Sequence, residues 1–276
     1  MVAALLLFSA ALAGDGDLVL RHQFAVGDEL RYEVANESKI DMTRGEETQT
    51  LTHGSESVKR YTVVDVDEET ATLELRIEHV VMSAADPNGQ PITFDSREGD
   101  VPLEFSGVAG TIGPVVARLV VNNRGEVQEV VDTLKLGTKA EQFDTSNHHT
   151  LVPLPEDGVT VGTRWKQPFA IRVPSGPEAE TTVAIQLQRS YVVTAIDGER
   201  VTIDWKVRSL TPVADPFIKS MIAHRLLDGA IVFDAALGRV VERSGRLESE
   251  IVGFSGPATL MKKVVVVRET LVGERL

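Results

Sequence analysis

Histidines and carboxylates could bind a metal in this chain, but their spacing matches no known site. His148 and His149 are the only adjacent histidines. Adjacent side chains on a strand point to opposite faces, so both could reach one ion only within a turn. Asp15, Asp17 and the acidic run at 65–69 offer oxygen ligands for calcium without the spacing of a calcium loop. We therefore predict no metal site, and interpret these residues as a solvated pair and as turn-forming charge.

Motifs for nucleophilic or cofactor chemistry are missing from the sequence. It contains no G-x-S-x-G elbow, no H-E-x-x-H and no P-loop, and the glycine-rich stretch 107–113 lacks dinucleotide-binding spacing. Because there is no cysteine, thiolate chemistry and disulfides are excluded. We predict a protein that is not an enzyme and needs no cofactor. A hydrolase remains a third hypothesis, since 41 acidic residues always include pairs that could converge.

Aromatic and aliphatic residues on predicted strands are the remaining candidates for ligand contact. Trp205 lies on the apolar face of one strand, and Trp165 follows a glycine turn at the start of another. Each could pack in a core or stack against a ligand. The predicted ligand-binding set is Leu73, Leu75, Ile77, Trp165, Ile203, Trp205 and Val207.

Charge and the N-terminus restrict the partners and the compartment. The formal net charge of −13 disfavours nucleic acid and anionic lipid surfaces. Residues 1–13 combine an uncharged apolar run with the ending Ala11-Leu12-Ala13, which is typical of a signal peptide and its cleavage site. No basic residue precedes the run, so an ordinary apolar strand is the alternative. We expect an exported protein, periplasmic or extracellular, without an integral membrane segment after signal removal. Its expected partner is an apolar small molecule or an envelope protein.

The regular elements needed to position these residues are mainly β-strands. Alternation of apolar and polar residues over 72–80 and 201–208 predicts half-buried antiparallel strands. Asp197-Gly198 predicts a tight hairpin turn before the second of these. The clearest helix is predicted over 215–227, with Asp215 as its N-cap, and a weaker one over 132–143.

The same strand pattern occurs twice along the chain. Gly27 and Gly162 each open a strand, Tyr61 and Tyr191 lie on the next hairpin, and Gly125 and Gly238 turn a later one. The offset falls from 135 (162 − 27) to 130 (191 − 61) and 113 (238 − 125), as expected when copies keep their strands and change their loops. We predict a first β repeat over 14–150 and a second over 151–276, in one pseudo-symmetric body.

Two short motifs carry a family resemblance. Residues 24–32 have the form F-x-x-G-x-x-x-x-Y, and residues 154–165 have the form L-P-x-x-x-V-x-V-G-x-x-W. The chain resembles an uncharacterised family of exported bacterial proteins with a duplicated β domain, which implies no activity and no catalytic residues. At the level of fold it is also similar to the half-barrels of periplasmic lipoprotein carriers, which alone implies nothing about function.

The predicted fold is all-β, with two related halves of strongly curved antiparallel sheet, half-barrel or barrel-like, and one or two short helices on the concave side. Such a sheet must cover its apolar inner face with protein or with a ligand. The first hypothesis is therefore a binding protein for an apolar ligand or a lipid-like envelope component. The alternative is a structural or interaction protein of the envelope whose concavity is filled by its own side chains. A cavity lined by the predicted residues would distinguish the first hypothesis from the second.

Overall fold

The computed structural model describes residues 17–85, 89–132 and 151–275, and it confirms the all-β class. Within these ranges the only α-helices are two short ones, α1 (Ser106–Ala109) and α2 (Pro216–Ile222). The strands are β1 (Glu29–Arg44), β2 (Glu47–Val66), β3 (Thr70–Ala85), β4 (Pro91–Asp95), β5 (Val115–Asn122), β6 (Val127–Asp132), β7 (Arg164–Pro174), β8 (Thr182–Asp197), β9 (Arg200–Ser209), β10 (Asp228–Asp234), β11 (Arg239–Val252) and β12 (Thr259–Arg275).

Some sequence predictions fall on parts of the chain outside the described residues. They are the signal peptide at 1–13, the pair His148 and His149, and nearly all of the weaker helix at 132–143. The boundary between the repeats at 150 also lies there. These remain predictions.

All strands join one antiparallel sheet, which is curved and open. Its order is β6-β5-β3-β2-β1-β12-β11-β10-β9-β8-β7, with β4 added on β3. The two ends of this order, β6 and β7, are consecutive in the chain. Curvature is visible in the second half, where α2 contacts both β7 and β11, although three strands separate them in the sheet. The sheet therefore curls around the helix, and we call the face that bears the buried side chains the inner face.

The two halves use the same hydrogen bonds at equivalent points. The amide of Gly27 donates to the carbonyl of Val63 at 2.9 Å, and the amide of Gly162 donates to the carbonyl of Val193 at 2.8 Å. Both glycines have positive φ, +94° and +96°, a conformation that side chains disfavour. The pairings β2–β3 and β8–β9 shift register directly after Val63 and Val193. Strand β12 joins the halves, because it pairs with β1 on one side and β11 on the other.

Two extended segments cover much of the inner face, in addition to the expected helix. Residues 18–24 cross the tips of hairpins from both halves: the amide of His22 donates to the carbonyl of Asn123, and that of Gln23 to the carbonyl of Gly238. Residues 151–159 run alongside, and the amide of Leu154 donates to the carbonyl of Arg124. These extended segments were not predicted, because they leave no periodic signal in the sequence.

Helix α2 is shorter than predicted. It ends at Ile222 and continues as a 3-10 turn over 223–225, whereas Gly229, expected just past the helix end, lies within β10. The predicted N-cap is confirmed, since the Asp215 carboxylate accepts a hydrogen bond from the amide of Phe217 at 2.8 Å. The apolar side of the helix packs on the core of the second half through Ile218, Met221 and Ile222.

The cap gives a first prediction. Asp215→Ala removes the acceptor from the first turn of α2, so we expect the free energy of unfolding to fall by about 1 kcal/mol. Urea unfolding followed by circular dichroism measures the change. Asp215→Asn, which also caps well, should stay close to the wild type; an equal loss in both variants would mean that the side chain acts by charge and not as a cap.

Candidate functional site

A half-open cavity of about 100 Å³ lies on the inner face of the second half. Its walls come from β7, β8, β9, β11 and β12, and the segment after α2 lies over it. We call it the arginine pocket, because three arginines interrupt an otherwise apolar lining. The lining residues are Phe169, Arg189, Trp205, Val207, His224, Arg225, Leu227, Arg243, Gly245, Val265 and Val267.

Trp205 is the platform on which the pocket is built. Its indole N–H donates to the carbonyl of Ser244 at 3.1 Å, which fixes the ring plane. A side chain at Gly245 would place its Cβ 3.1 Å from Cζ2 of the indole, so the ring lies over bare backbone. The guanidinium of Arg243 lies 4.5 Å from the ring centre and that of Arg189 lies 5.8 Å from it. Both distances are within the range of cation–π attraction.

Arg243 is a buried cation with an incomplete set of partners. Its side chain is 5% exposed, and its Nη1 lies 3.8 Å from Oε2 of Glu269, which is beyond hydrogen-bond distance. Within the described part of the chain, Nε and Nη1 of Arg243 and both carboxylate oxygens of Glu269 are buried without a hydrogen bond. Burial lowers the pKa of Arg243 to about 10 and Glu269 opposes that shift. Arg243 therefore stays protonated at neutral pH.

Arg189 provides a second cation beside it. The guanidinium lies 5.3 Å from the ring centre of Phe169. Its Nη1 donates long hydrogen bonds to Oε1 of Gln167 at 3.4 Å and to the hydroxyl of Tyr191 at 3.5 Å, and its buried Nε has no hydrogen bond. The positive charge of Arg189 also lowers the pKa of Arg243. Two like charges are thus held close together on one aromatic platform.

Comparison with known proteins adds little to this geometry. No protein-family model matches the sequence, and no curated protein matches it. One similar solved structure is that of a DUF1329 family protein from Desulfovibrio piger. It is 8% identical, it aligns over 88% of this chain and 85% of its own, and its TM-score is 0.13. At this TM-score the likeness carries no argument about family, fold or activity.

The predicted ligand-binding residues separate into two groups in the structure. Trp205 and Val207 line the arginine pocket. Trp165 stacks on Tyr191, with ring centres 5.0 Å apart, and donates its indole N–H to the carbonyl of Pro153 at 2.7 Å, so it packs against segment 151–159. The other predicted residues lie in or beside the core and not in the pocket: Leu73, Leu75, Ile77 and Ile203.

Trp205, the platform of the pocket, has no aromatic counterpart in the described part of the first half. With the offset of 130, Trp205 corresponds to Leu75, which is buried in the core of the first half. Gly229, which pairs with Trp205, corresponds to Ala117, and Ala117 is fully buried. The smaller side chain of Leu75 packs directly on its neighbours, whereas the indole in the second half supports the two arginines. The aromatic platform therefore belongs to the second half.

The sequence analysis missed Arg189, Arg243 and Glu269. Each lies at a position where the strand alternation calls for an apolar residue: Arg189 falls between Leu187 and Tyr191, which are both buried. A charged residue at a strand position that faces the core was the sequence signal that could have identified them.

A second buried ion pair lies near the junction of the halves. Nη2 of Arg239 donates to Oδ2 of Asp28 at 2.6 Å, and both side chains are at most 5% exposed. The hydroxyl of Tyr32 donates to the carbonyl of Val240 at 2.9 Å, between the same two parts of the chain. Strand β12 lies between β1 and β11 in the sheet. These side-chain contacts connect the start of β1 directly to the start of β11. We interpret this cluster as a structural connection.

His22 lies beside this junction and is buried as a neutral ring. Its Nε2 donates to the carbonyl of Val152 at 3.0 Å, so the proton resides on Nε2. The ring stacks with Phe24 and meets Phe233 edge-on. Burial lowers its pKa from 6.5 to about 4, and the charge of Arg239 adds to that shift.

A wider recess of about 1140 Å³ lies over the charged side chains of β7–β11 and opens to solvent. Ion pairs such as Lys206 with Asp228 and Arg246 with Glu248 occur among its walls, and such exposed pairs contribute little to stability. Among the described residues there is no group of three or more potential metal ligands. The described chain also has no helix that is long and apolar enough to cross a membrane.

Proposed function

We propose that this protein is an exported, non-catalytic binding protein that holds a small apolar group, or the end of a longer apolar ligand, in the arginine pocket. The observation that supports it is the half-open cavity with mainly apolar walls on the inner face of the second half. Export rests on residues 1–13 of the sequence.

The composition of the pocket favours binding over catalysis. Its lining includes one histidine, His224, but no serine, threonine or carboxylate among the described residues. It therefore offers no hydroxyl nucleophile for that histidine to activate and no carboxylate base. The aromatic and aliphatic walls instead resemble those of ordinary small-molecule sites, which are mostly apolar with a few polar groups that set orientation. The volume limits what enters to a few heavy atoms, because a cavity of about 150 Å³ is needed for benzene.

A structural role within the cell envelope is the second candidate. It is favoured by the packing of the rest of the inner face, where Leu73, Leu119, Ile203 and Phe233 are completely buried. Segment 151–159 also fills space that a larger ligand would need. Under this hypothesis the pocket is a packing imperfection of the second repeat.

Filling the pocket distinguishes the two candidates. Val267→Phe places a ring in the cavity from β12, and Val266→Phe places the same ring on the opposite face of the same strand. We expect native mass spectrometry of protein purified gently from its own host to show a stoichiometric small-molecule adduct in the wild type and in Val266→Phe, but not in Val267→Phe.

Two results would contradict the binding proposal. One is an adduct that persists in Val267→Phe, which would place the ligand elsewhere. The other is a bare mass in all preparations together with no calorimetric binding of dodecanoate, dodecanol or dodecyl phosphate. That outcome would favour the structural role.

A further inference from the structure

We infer that the ligand of the arginine pocket carries a carboxylate, which Arg243 and Arg189 bind while its alkyl part lies against the apolar walls. This inference rests on the proposed function and specifies the chemical class of the ligand.

The unsatisfied state of Arg243 is the first argument. A buried cation costs free energy unless it is both paired and hydrogen-bonded. Arg243 is paired with Glu269 only at 3.8 Å and leaves Nε and Nη1 without hydrogen bonds, next to a cavity that its side chain lines. An anion in the cavity would add charge-assisted hydrogen bonds, which are the strongest kind available to a guanidinium.

The balance of charge is the second argument. Arg189 and Arg243 both line the cavity, and among the described residues no acidic residue does. Glu269 lies behind Arg243 as the one carboxylate identified in contact with this group among the described residues. The pocket is therefore positive, although the whole chain carries a net charge of −13. Such a local reversal of charge attracts an anion into the site, although the rest of the surface would repel that anion.

The shape of the platform is the third argument. Stacking on Trp205 leaves the edges of a planar guanidinium free to form in-plane hydrogen bonds, and this geometry matches the planar carboxylate group. A cavity of about 100 Å³ accommodates a carboxylate with a few methylene groups. A phosphate monoester is bulkier and carries a charge of about −2. Arg189 and Arg243 together with Glu269 leave a net charge of only about +1, which one carboxylate balances. The combination of cations and aliphatic walls specifies an amphipathic acid, such as a fatty acid.

Isothermal titration calorimetry with matched dodecyl compounds tests the inference on the intact protein. We expect dodecanoate to bind about 10- to 100-fold more tightly than dodecanol, the range of a charge-assisted hydrogen bond, and more tightly than dodecyl phosphate. Arg189→Met should bring the ratio of the dodecanoate affinity to the dodecanol affinity close to one. Arg246→Met, an exposed arginine on the outer face of β11, is the control and should change neither.

Arg243 needs a paired substitution, because its loss alone would leave Glu269 buried without its cation. Arg243→Met combined with Glu269→Gln removes both charges and keeps both volumes. We expect this double variant to bind dodecanoate and dodecanol equally.

The outcomes separate the inference from the proposed function. If wild-type protein binds dodecanoate and dodecanol equally, or if Arg189→Met and the double variant keep the preference, the carboxylate site is wrong while a binding pocket remains. A preference for dodecyl phosphate over dodecanoate would also overturn the assignment of a carboxylate. If none of the compounds binds and no adduct is found, the proposed function itself fails.

Discussion

Asp28→Ala is expected to lower the free energy of unfolding by about 3–5 kcal/mol, the usual cost of removing one partner of a buried ion pair. Asp28 is 3% exposed and its Oδ2 lies 2.6 Å from Nη2 of Arg239, itself 4% exposed. The same oxygen accepts a hydrogen bond from the amide of Ala25 at 3.0 Å. Urea unfolding monitored by circular dichroism measures the loss.

The duplication provides a matched control for this prediction. Thr163 occupies the position of Asp28 in the second half, and its Oγ1 accepts a hydrogen bond from the amide of Thr160 at 2.9 Å. Thr163→Ala removes the turn hydrogen bond without breaking an ion pair, so we expect a cost of about 1 kcal/mol. The double change Asp28→Leu and Arg239→Met should recover much of the stability. Equal losses in Asp28→Ala and Thr163→Ala would show that the ion pair contributes nothing.

Acidification from pH 7 to pH 5 is expected to destabilise the protein by about 2 kcal/mol through His22 alone. The pKa of His22 is about 4 in the folded protein and 6.5 in the unfolded chain. Between these values the unfolded state binds more protons, so stability falls as the pH falls, and the contribution levels off below about pH 4. The physical cause is that the buried ring must stay neutral.

The pH window separates His22 from the carboxylates. Asp41, Asp67, Asp95 and Glu126 have lowered pKa values, held down mainly by hydrogen bonds to their carboxylates. Their stabilising contributions are therefore lost only below about pH 4.5. Unfolding by urea at pH 7, 6 and 5 measures the slope, and His22→Gln should flatten it. A slope that is unchanged in His22→Gln would assign the effect to another group.

The inner faces of the two halves differ: the first is packed around Leu75, and the second borders the arginine pocket. In the first half Leu75 and Ala117 are buried in the core, whereas in the second half Trp205, at the position of Leu75, lines the arginine pocket. Duplication allows such divergence, because one copy can keep the packed core while the other accepts buried charge. The proposed ligand site is thus a property of the second repeat and not of the fold.

The strands followed from the sequence, because the alternation of apolar and polar residues is a local pattern. Period-two alternation identified β3 and β9, and the glycines at 27 and 162 indicated equivalent turns. In the structure both glycines have positive φ. The cap at Asp215 was also a local signal. The predicted set of ligand-binding residues included Trp205 and Val207 for the same reason, since both face the apolar side of their strand.

Only the tertiary structure decided which apolar positions border a cavity and which are packed. Phe169 on β7 and Val267 on β12 lie far apart in the sheet order, and the curl of the sheet brings them to one pocket. The close approach of Arg243 to Glu269 depends on the register of β11 with β12. The extended segments over the inner face have no hydrophobic periodicity from which the sequence could predict them. Alternation fixes the face on which a side chain lies, but long-range strand order and curvature decide what that face meets.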